Sequence, residues 1–489
     1  MRNRLRVLIA GAFALALSAI MTGPAYGQAY GTKFITSITY QNVGGAPASI
    51  RLQFFSERSG TAITKTLDPL AAGAGTSVFI GGLSELQSSF KGGAVMSSDQ
   101  PIVATMVQIP QGGVIRNRPV SNGFGVNDGA ADFLIATVLK NTFNANTQFS
   151  VQNVDSMGAD LTVKFVSADA ATLGQTIATL TETNLPPGSV VYYDAGALTQ
   201  LGGAFNGSVT ISAKRTGTQN PGKVVATAME LGITKKDASA FEGVAGGSNV
   251  VYMPSAICNA FNGQTTAYAV QNTNTSGDVN VTVNYLASPN GTGTNQSFSD
   301  SATIPAGAKA SFNACAKLPP GYSGSATITA TGGNIVAISK VFGAGLSTAA
   351  PGVGTGAQTL ALPYVRFSQT QFASGARQRV FIAVQNVGDA DLAAGQVTVT
   401  YYDKNGAVVG THALGAIAKG AKLSSNPTLA TPAATPASGA TLGELGYYAD
   451  NTFGASAVVR GPAGSRLVAV ARVTSAGVGE DYNGIPVTQ

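Results

Sequence analysis

The side chains that carry most enzyme chemistry are scarce in this chain. Its 489 residues hold one histidine, His412, and two cysteines, Cys258 and Cys315. A lone imidazole lacks both the second histidine of a zinc site and the partners of a nucleophile relay. No Gly-x-Ser-x-Gly elbow is present, and His412 reads as a solvent-facing strand residue. Gly352-Val353-Gly354-Thr355-Gly356 has the glycine density of a phosphate loop. That chemistry needs a strand before it and a helix N-terminus after it. Here Pro351 precedes and β-type sequence follows, so the segment reads as a linker. Three acidic pairs, Asp155 with Asp160, Asp389 with Asp391 and Glu480 with Asp481, are too sparse for the oxygen-rich shell of calcium. Turn formation accounts for them. The expectation is no catalytic residue, no metal site and no cofactor, and therefore no enzyme.

The chain start points to export. Arg2, Arg4 and Arg6 precede an apolar run from Val7 to Met21, and Ala25-Tyr26-Gly27 offers a cleavage site before Gln28. The run is short for a bilayer span, so residues 1–27 read as a signal peptide. No cysteine sits at the cleavage site to take a lipid, and no membrane span is expected after cleavage. Localisation is then secreted, at the extracellular surface. The net charge is +6. Losing the three signal arginines and no acid leaves +3, which is too little for a phosphate-binding stripe. Nucleic acid is not an expected partner. Charged residues are only 11% and hydrophobic ones 44%, a balance of folded extracellular β-structure rather than disorder.

The elements behind these residues repeat. Gln41-Asn42, Gln152-Asn153, Gln271-Asn272 and Gln385-Asn386 recur at spacings of 111, 119 and 114 residues. Alternate apolar residues lead into each pair, as at Ile38 and Tyr40 or Phe149 and Val151. A second alternating run follows: Ile50, Leu52, Phe54; Leu161, Val163, Phe165; Val281, Val283, Tyr285; Val397, Val399, Tyr401. Period two with β-branched and aromatic residues means half-buried strands. Turns follow these runs, and Asn290-Gly291 and Asn405-Gly406 suit tight hairpins. Each copy then shows an aromatic two residues before a small residue: Phe90, Phe205, Tyr322 and Phe453 before Gly92, Gly207, Gly324 and Ala455. These aromatics are expected to plug the core at a corner. An aliphatic-Val-Ala strand closes every copy, beginning at Ile102, Val224, Ile335 and Leu467. The Gln-Asn pairs themselves read as structural, at strand ends, with Gln opposite the apolar row.

The predicted fold is all-β: four tandem immunoglobulin-like β-sandwich modules after a signal peptide. The boundaries are 28–118, 130–240, 248–346 and 357–476, followed by a tail, 477–489. Val380 to Gly410, with Gln385-Asn386-Val387-Gly388 and Tyr401-Tyr402-Asp403, resembles the cell-adhesion-related immunoglobulin-like repeats of bacterial surface proteins. The resemblance implies the fold and an extracellular setting, and carries over no functional residue. Gly-rich stretches at 121–131, 243–248 and 344–356 read as linkers. Pro427 to Gly443 is a Pro-, Ala- and Thr-rich insertion of the fourth copy, read as a surface loop.

Cys258 and Cys315 both fall in the third copy, and an oxidising compartment would join them as a disulfide rather than leave two thiols. Five sequons, Asn206, Asn274, Asn280, Asn290 and Asn295, would carry glycans where the host has the machinery. An apolar first strand precedes Gln-Asn in copies two to four, but the matching distance before Gln41 reaches residues 16–22 of the signal. The first module is therefore expected to lack that strand. The tail from Glu480 to Val487 could then add to the first module of a neighbour. The expected function is a non-enzymatic structural or adhesive surface protein: a stalk, filament subunit or surface-layer component, self-assembling head to tail or joining other surface components. The alternative is a secreted carbohydrate- or matrix-binding array, which would need an exposed aromatic platform.

Overall fold

The computed structural model describes residues 29–112, 115, 117–289, 291–294, 296–343, 345–369, 378–450, 452–475 and 478–487. The signal segment lies outside them. Among the described residues helical geometry is confined to single 3-10 turns such as Ala314–Ala316, and everything else regular is strand. The all-β expectation holds.

The strands form four pairs of antiparallel sheets. In the first pair, Ala62–Thr66, Ile50–Ser56 and Gly92–Ser98 face Gly75–Phe79, Phe34–Asn42, Ile102–Pro110 and Val120–Asn122. In the second, Thr176–Leu185, Ala159–Ser167, Phe205–Arg215, Asp132–Lys140 and Val244–Ala245 make one sheet. Val190–Asp194, Ala145–Asn153, Val224–Gly232 and Ala238–Glu242 make the other. The third sets Phe298–Ile304, Val279–Ala287, Tyr322–Thr331 and Val250–Cys258 against Lys309–Asn313, Thr265–Asn272, Ile335–Gly343 and Leu346–Pro351. The fourth follows the same order, with Thr431–Pro432 of the 427–443 insertion added to the edge strand Val408–Ala413.

Alternation builds each core. Ile50, Leu52 and Phe54 are buried while Arg51 faces water, and Leu161, Val163 and Phe165 repeat the pattern. Each such burial contributes about 1.5–3 kcal/mol. Gly92, Gly207 and Gly324 lie where a Cβ would run into the carbonyls of Phe55, Val166 and Leu286, which explains the small residue at that landmark. Phe205 and Tyr322 plug their cores as expected, and Phe90 does so partly. Phe453 does not: it is 49% exposed and packs edge-on against Tyr447.

Two expectations are corrected. The stretches read as linkers contain or adjoin strands: Val120–Asn122, Ala238–Glu242 and Leu346–Pro351 each pair with the preceding closing strand. The tail is the fourth instance, since Val478–Asn483 pairs with Leu467–Ser475 and Ile485–Pro486 pairs with Thr359–Leu362. It is not free to reach a neighbouring molecule. The physical reason lies in where these strands meet. Each touches two of the others in cyclic order, and their small side chains, with Asn117 and Pro119, leave no water-sized space between them. Small residues that suit a crowded axis look like linker composition.

The four sheet pairs thus close into a ring. Each pair uses its Gln-Asn strand side to pack on the outer sheet of the pair before it, and the first packs in the same way on the fourth, where Gly73 and Gly75 meet Gly406 and Ser456. A heterologous contact that closes gives cyclic pseudosymmetry.

Candidate functional site

The Gln-Asn repeat builds both the corners and the seams. Asn42, Asn153, Asn272 and Asn386 are at most 1% exposed. Each Nδ2 donates to a carbonyl four or five residues on and to one across the sandwich: Leu70, Leu185, Ile304 or Ile417, at 2.8–3.0 Å. Each Oδ1 accepts from the backbone N–H two residues ahead. One side chain closes three bonds that would otherwise be buried and unmade.

The glutamines do something the sequence did not announce. Each Nε2 donates to a turn glycine, Gly73, Gly188, Gly307 or Gly420, at 2.9–3.5 Å, and all four glycines have positive φ. Gln271 also donates to Val209 O, and Gln385 to Ala326 O, both at 3.4 Å and both in the preceding pair. Ser208 and Ser325 return bonds to Gly307 and Gly420 at 2.6 and 2.7 Å. The face opposite the apolar row is therefore a second interior, and its partners lie far away in sequence.

Charge is buried at the seams and the axis. Lys309 donates to Thr137 Oγ1 at 3.1 Å across the seam between the second and third pairs, and burial, with Lys340 nearby, pulls its pKa down to about 7. Burial likewise takes Lys422 down to about 8. Glu242 accepts from the Asn122 N–H, yet burial pushes it up to about 7. Glu480 accepts from the Arg118 N–H at 2.8 Å, and its pKa rises because burial outweighs the arginine charge. Asp481 takes two bonds from Arg472 and one from Thr348, at 2.7–2.8 Å.

The other residues singled out in the sequence fall as follows. Cys258 and Cys315 stand at disulfide distance, with sulfurs 2.09 Å and Cα atoms 4.9 Å apart, joining the Val250–Cys258 strand to the Ala314–Ala316 turn. Asp155 is spent on Arg215 and its own turn, and Asp389 on Arg466 and Lys419. The structure does not join either to its sequence partner as a site. His412 lies on the Val408–Ala413 strand but is half-buried rather than solvent-facing, with Nδ1 2.8 Å from Ser425 Oγ. Ser425 is 1% exposed and also bonds Tyr401, so that hydroxyl faces the core and not a substrate. Asn280 is exposed, Asn274 bonds Gly332 O, and Asn206 is half-buried; Asn290 and Asn295 lie outside the described residues.

Of two surface features, the first was missed and the second, an open edge on the first sheet pair, was expected from the sequence. Phe143 and Phe261 are 71% and 59% exposed, with φ of +51° and +47°. Both sit in the turn after the first strand of adjacent pairs, so cyclic closure sets them on one face of the ring. The signal was legible as Asn141-Thr142-Phe143-Asn144 and Asn259-Ala260-Phe261-Asn262. The other is the outer edge of Gly92–Ser98, which has no strand beside it among the described residues.

No protein-family model and no curated protein matches this chain. A solved structure described as "Biofilm associated protein - BSP domain" aligns over 93% of this chain and 90% of its own, at 9% identity and a TM-score of 0.13. At that score the likeness carries no argument. Among the described residues no helix is long and apolar enough to cross a membrane.

Proposed function

We propose that this protein is a non-enzymatic structural or adhesive component of an extracellular surface, exported by residues 1–27. The observation that supports it is ring closure: four sheet pairs, two of the seams bridged by the buried Gln271 and Gln385, close round a filled polar axis into one unit. Its buried charges are paired or seated between sheets, which serves cohesion rather than turnover. Head-to-tail packing is satisfied inside one chain, so growth into a filament through the same seam is not part of the reading. Electron microscopy of the purified protein and of the host surface tests it. Discrete compact particles, and the same particles at the cell exterior, are expected; a cytoplasmic location for the protein would sink the proposal.

A second reading has its own observation. Phe143 and Phe261 on one face supply exposed aromatic contacts that a carbohydrate- or matrix-binding array requires. Retention of the protein on a glycan or matrix surface, lost in a Phe143→Asn, Phe261→Asn double variant, would favour it.

A further inference from the structure

In three of the four sheet pairs, the strand that follows the corner landmark has an antiparallel neighbour on its outer side. Asp132–Lys140 flanks Phe205–Arg215, Val250–Cys258 flanks Tyr322–Thr331, and Thr359–Leu362 flanks Ala455–Arg460. Their inward residues Phe133, Ile135, Val251, Met253, Leu360 and Leu362 are no more than 3% exposed. Beside Gly92–Ser98 no described residue takes that place. The chain before Phe34–Asn42 runs elsewhere: the Tyr30 N–H donates to Gly232 O at 2.9 Å and its hydroxyl to Asp194 at 3.1 Å, both in the second pair.

The first core is open as a result. Ala94 and Met96, the core-facing residues of this strand, stay partly exposed. The matching Val209 and Ile211, or Ala457 and Val459, are fully buried. The open backbone groups can be assigned. Ala213 N–H donates to Ala131 O and Ala330 N–H to Asn249 O, at 2.7 and 2.8 Å, towards the first strand in each pair. Aligning Gly92 with Gly207 and Gly324 makes Ser98 their counterpart. The two-residue pleat then sends the N–H and C=O of Ala94, Met96 and Ser98 to the free side. Gly92 O already accepts from the Tyr192 hydroxyl at 2.7 Å. The others have no protein partner among the described residues.

We propose that this edge accepts an extended segment of a different polypeptide, antiparallel to Gly92–Ser98, with bulky apolar side chains at alternate positions over Ala94 and Met96. The three internal strands are the template for its direction and pattern. The donor is a different chain because the strands described here are already paired, including Val478–Asn483, which the sequence had suggested for this role. The inference adds a partner to the surface-protein reading but stands on the geometry of one strand. Its test is blind to cellular location, so either can fail alone.

The probe is a synthetic peptide with the sequence of Asp132–Lys140, DFLIATVLK, beside a version carrying Ser at the positions of Phe133, Ile135 and Val138. Each is titrated into the intact protein and followed by amide hydrogen exchange. The apolar peptide is expected to slow exchange at Ala94, Met96 and Ser98 by about tenfold or more, and the serine version to leave it unchanged. Ala94→Pro removes one edge N–H while Gly93, Val95 and Ser97 keep their pairing to Ile50–Ser56, and it should abolish the protection. If that variant does not fold, an apolar peptide N-methylated along its bonding edge replaces it and should fail to protect. No protection, or equal protection by both peptides, overturns the proposal. Protection without peptide that grows with protein concentration, or that requires retained residues 1–27, overturns the assignment to a different chain.

Discussion

The Gln271 side chain, shut off from solvent, donates from Nε2 to the Val209 carbonyl 3.4 Å away in the preceding sheet pair. It also holds its own turn through Gly307 O at 3.2 Å. Gln271→Ala removes both donors and leaves a cavity at the seam, so a loss of about 2–3 kcal/mol is expected. Urea unfolding of the two proteins measures it. A loss below about 0.5 kcal/mol would mean that the seam is held by apolar packing alone.

Reduction should weaken the third pair most. The Cys258–Cys315 link spans 57 residues, and on the chain-entropy model closing such a loop stabilises by about 4 kcal/mol, less any strain. Titration of the denatured, unreduced protein should find no free thiol. Dithiothreitol should lower the unfolding temperature, and a Cys258→Ala, Cys315→Ala variant should reproduce that value without reductant. Two titratable thiols before reduction would refute the pairing.

The C-terminal strand is expected to be indispensable to the fold. Tyr482 is 1% exposed and its hydroxyl donates to Tyr364 O at 2.5 Å, while its neighbours Glu480 and Asp481 hold Arg118 and Arg472. Tyr482→Ala should cost about 3–5 kcal/mol, as large-to-small core changes do. Deleting 478–489 should expose the axis and give an expanded, protease-sensitive protein. An unchanged melting curve after that deletion would return the tail to the role of a free linker.

How much of this could be read in the sequence depended on the range of the interaction. Ile50, Leu52 and Phe54 announce their strand because alternation is local, and Gly406 at φ +86° announces its hairpin because Asn-Gly suits that turn. The cysteine pair followed from there being only two. Gln271 was read as structural and opposite the apolar row, but its partner was not legible, because Val209 lies 62 residues earlier and no local pattern marks it. Leu346–Pro351 looked like a linker because a crowded axis selects small side chains. Counting back from Gln41 gave the expectation of a first module without its first strand, whereas the fate of the tail was not legible, because pairing with Leu467–Ser475 is a choice among edges.

The exposed phenylalanine turns should be strained. Phe143 and Asn144, at φ +51° and +59°, occupy the two centre positions between Thr142 and Ala145, where the Ala145 N–H donates to Thr142 O at 3.0 Å. Positive φ at both suits Asn and Gly and is costly for a bulky residue. Phe143 is 71% exposed, so little packing offsets the cost. Phe143→Gly is expected to stabilise the protein by about 1 kcal/mol, read from denaturant midpoints at constant m. Destabilisation would show that the ring packs against something in solution.

Lys309 gives a pH signature whose sign can be worked out. Its folded pKa, about 7, lies below the usual 10.5 because burial disfavours the ammonium. A lowered pKa means that the folded state binds its proton less readily than the unfolded state. The associated stability is then present above pH 10.5 and is lost as pH falls through about 7. Glu242 acts in the opposite sense and in another window: raised from 4.5 to about 7, it loses stability as pH rises between those values. Between pH 7 and about 9 the change therefore belongs to the lysines, the buried tyrosines entering only as pH rises towards 10, and these groups and Lys422 contribute equally to both proteins in a comparison. Lys309→Met fills the same space without a charge to desolvate, at the cost of the 3.1 Å bond to Thr137. Near pH 10 the variant should be no more stable than the wild type. Its relative stability should climb as pH falls to about 7 and then level off. Thermal unfolding of both proteins across that range decides it, and parallel curves would show that Lys309 keeps its charge in the seam.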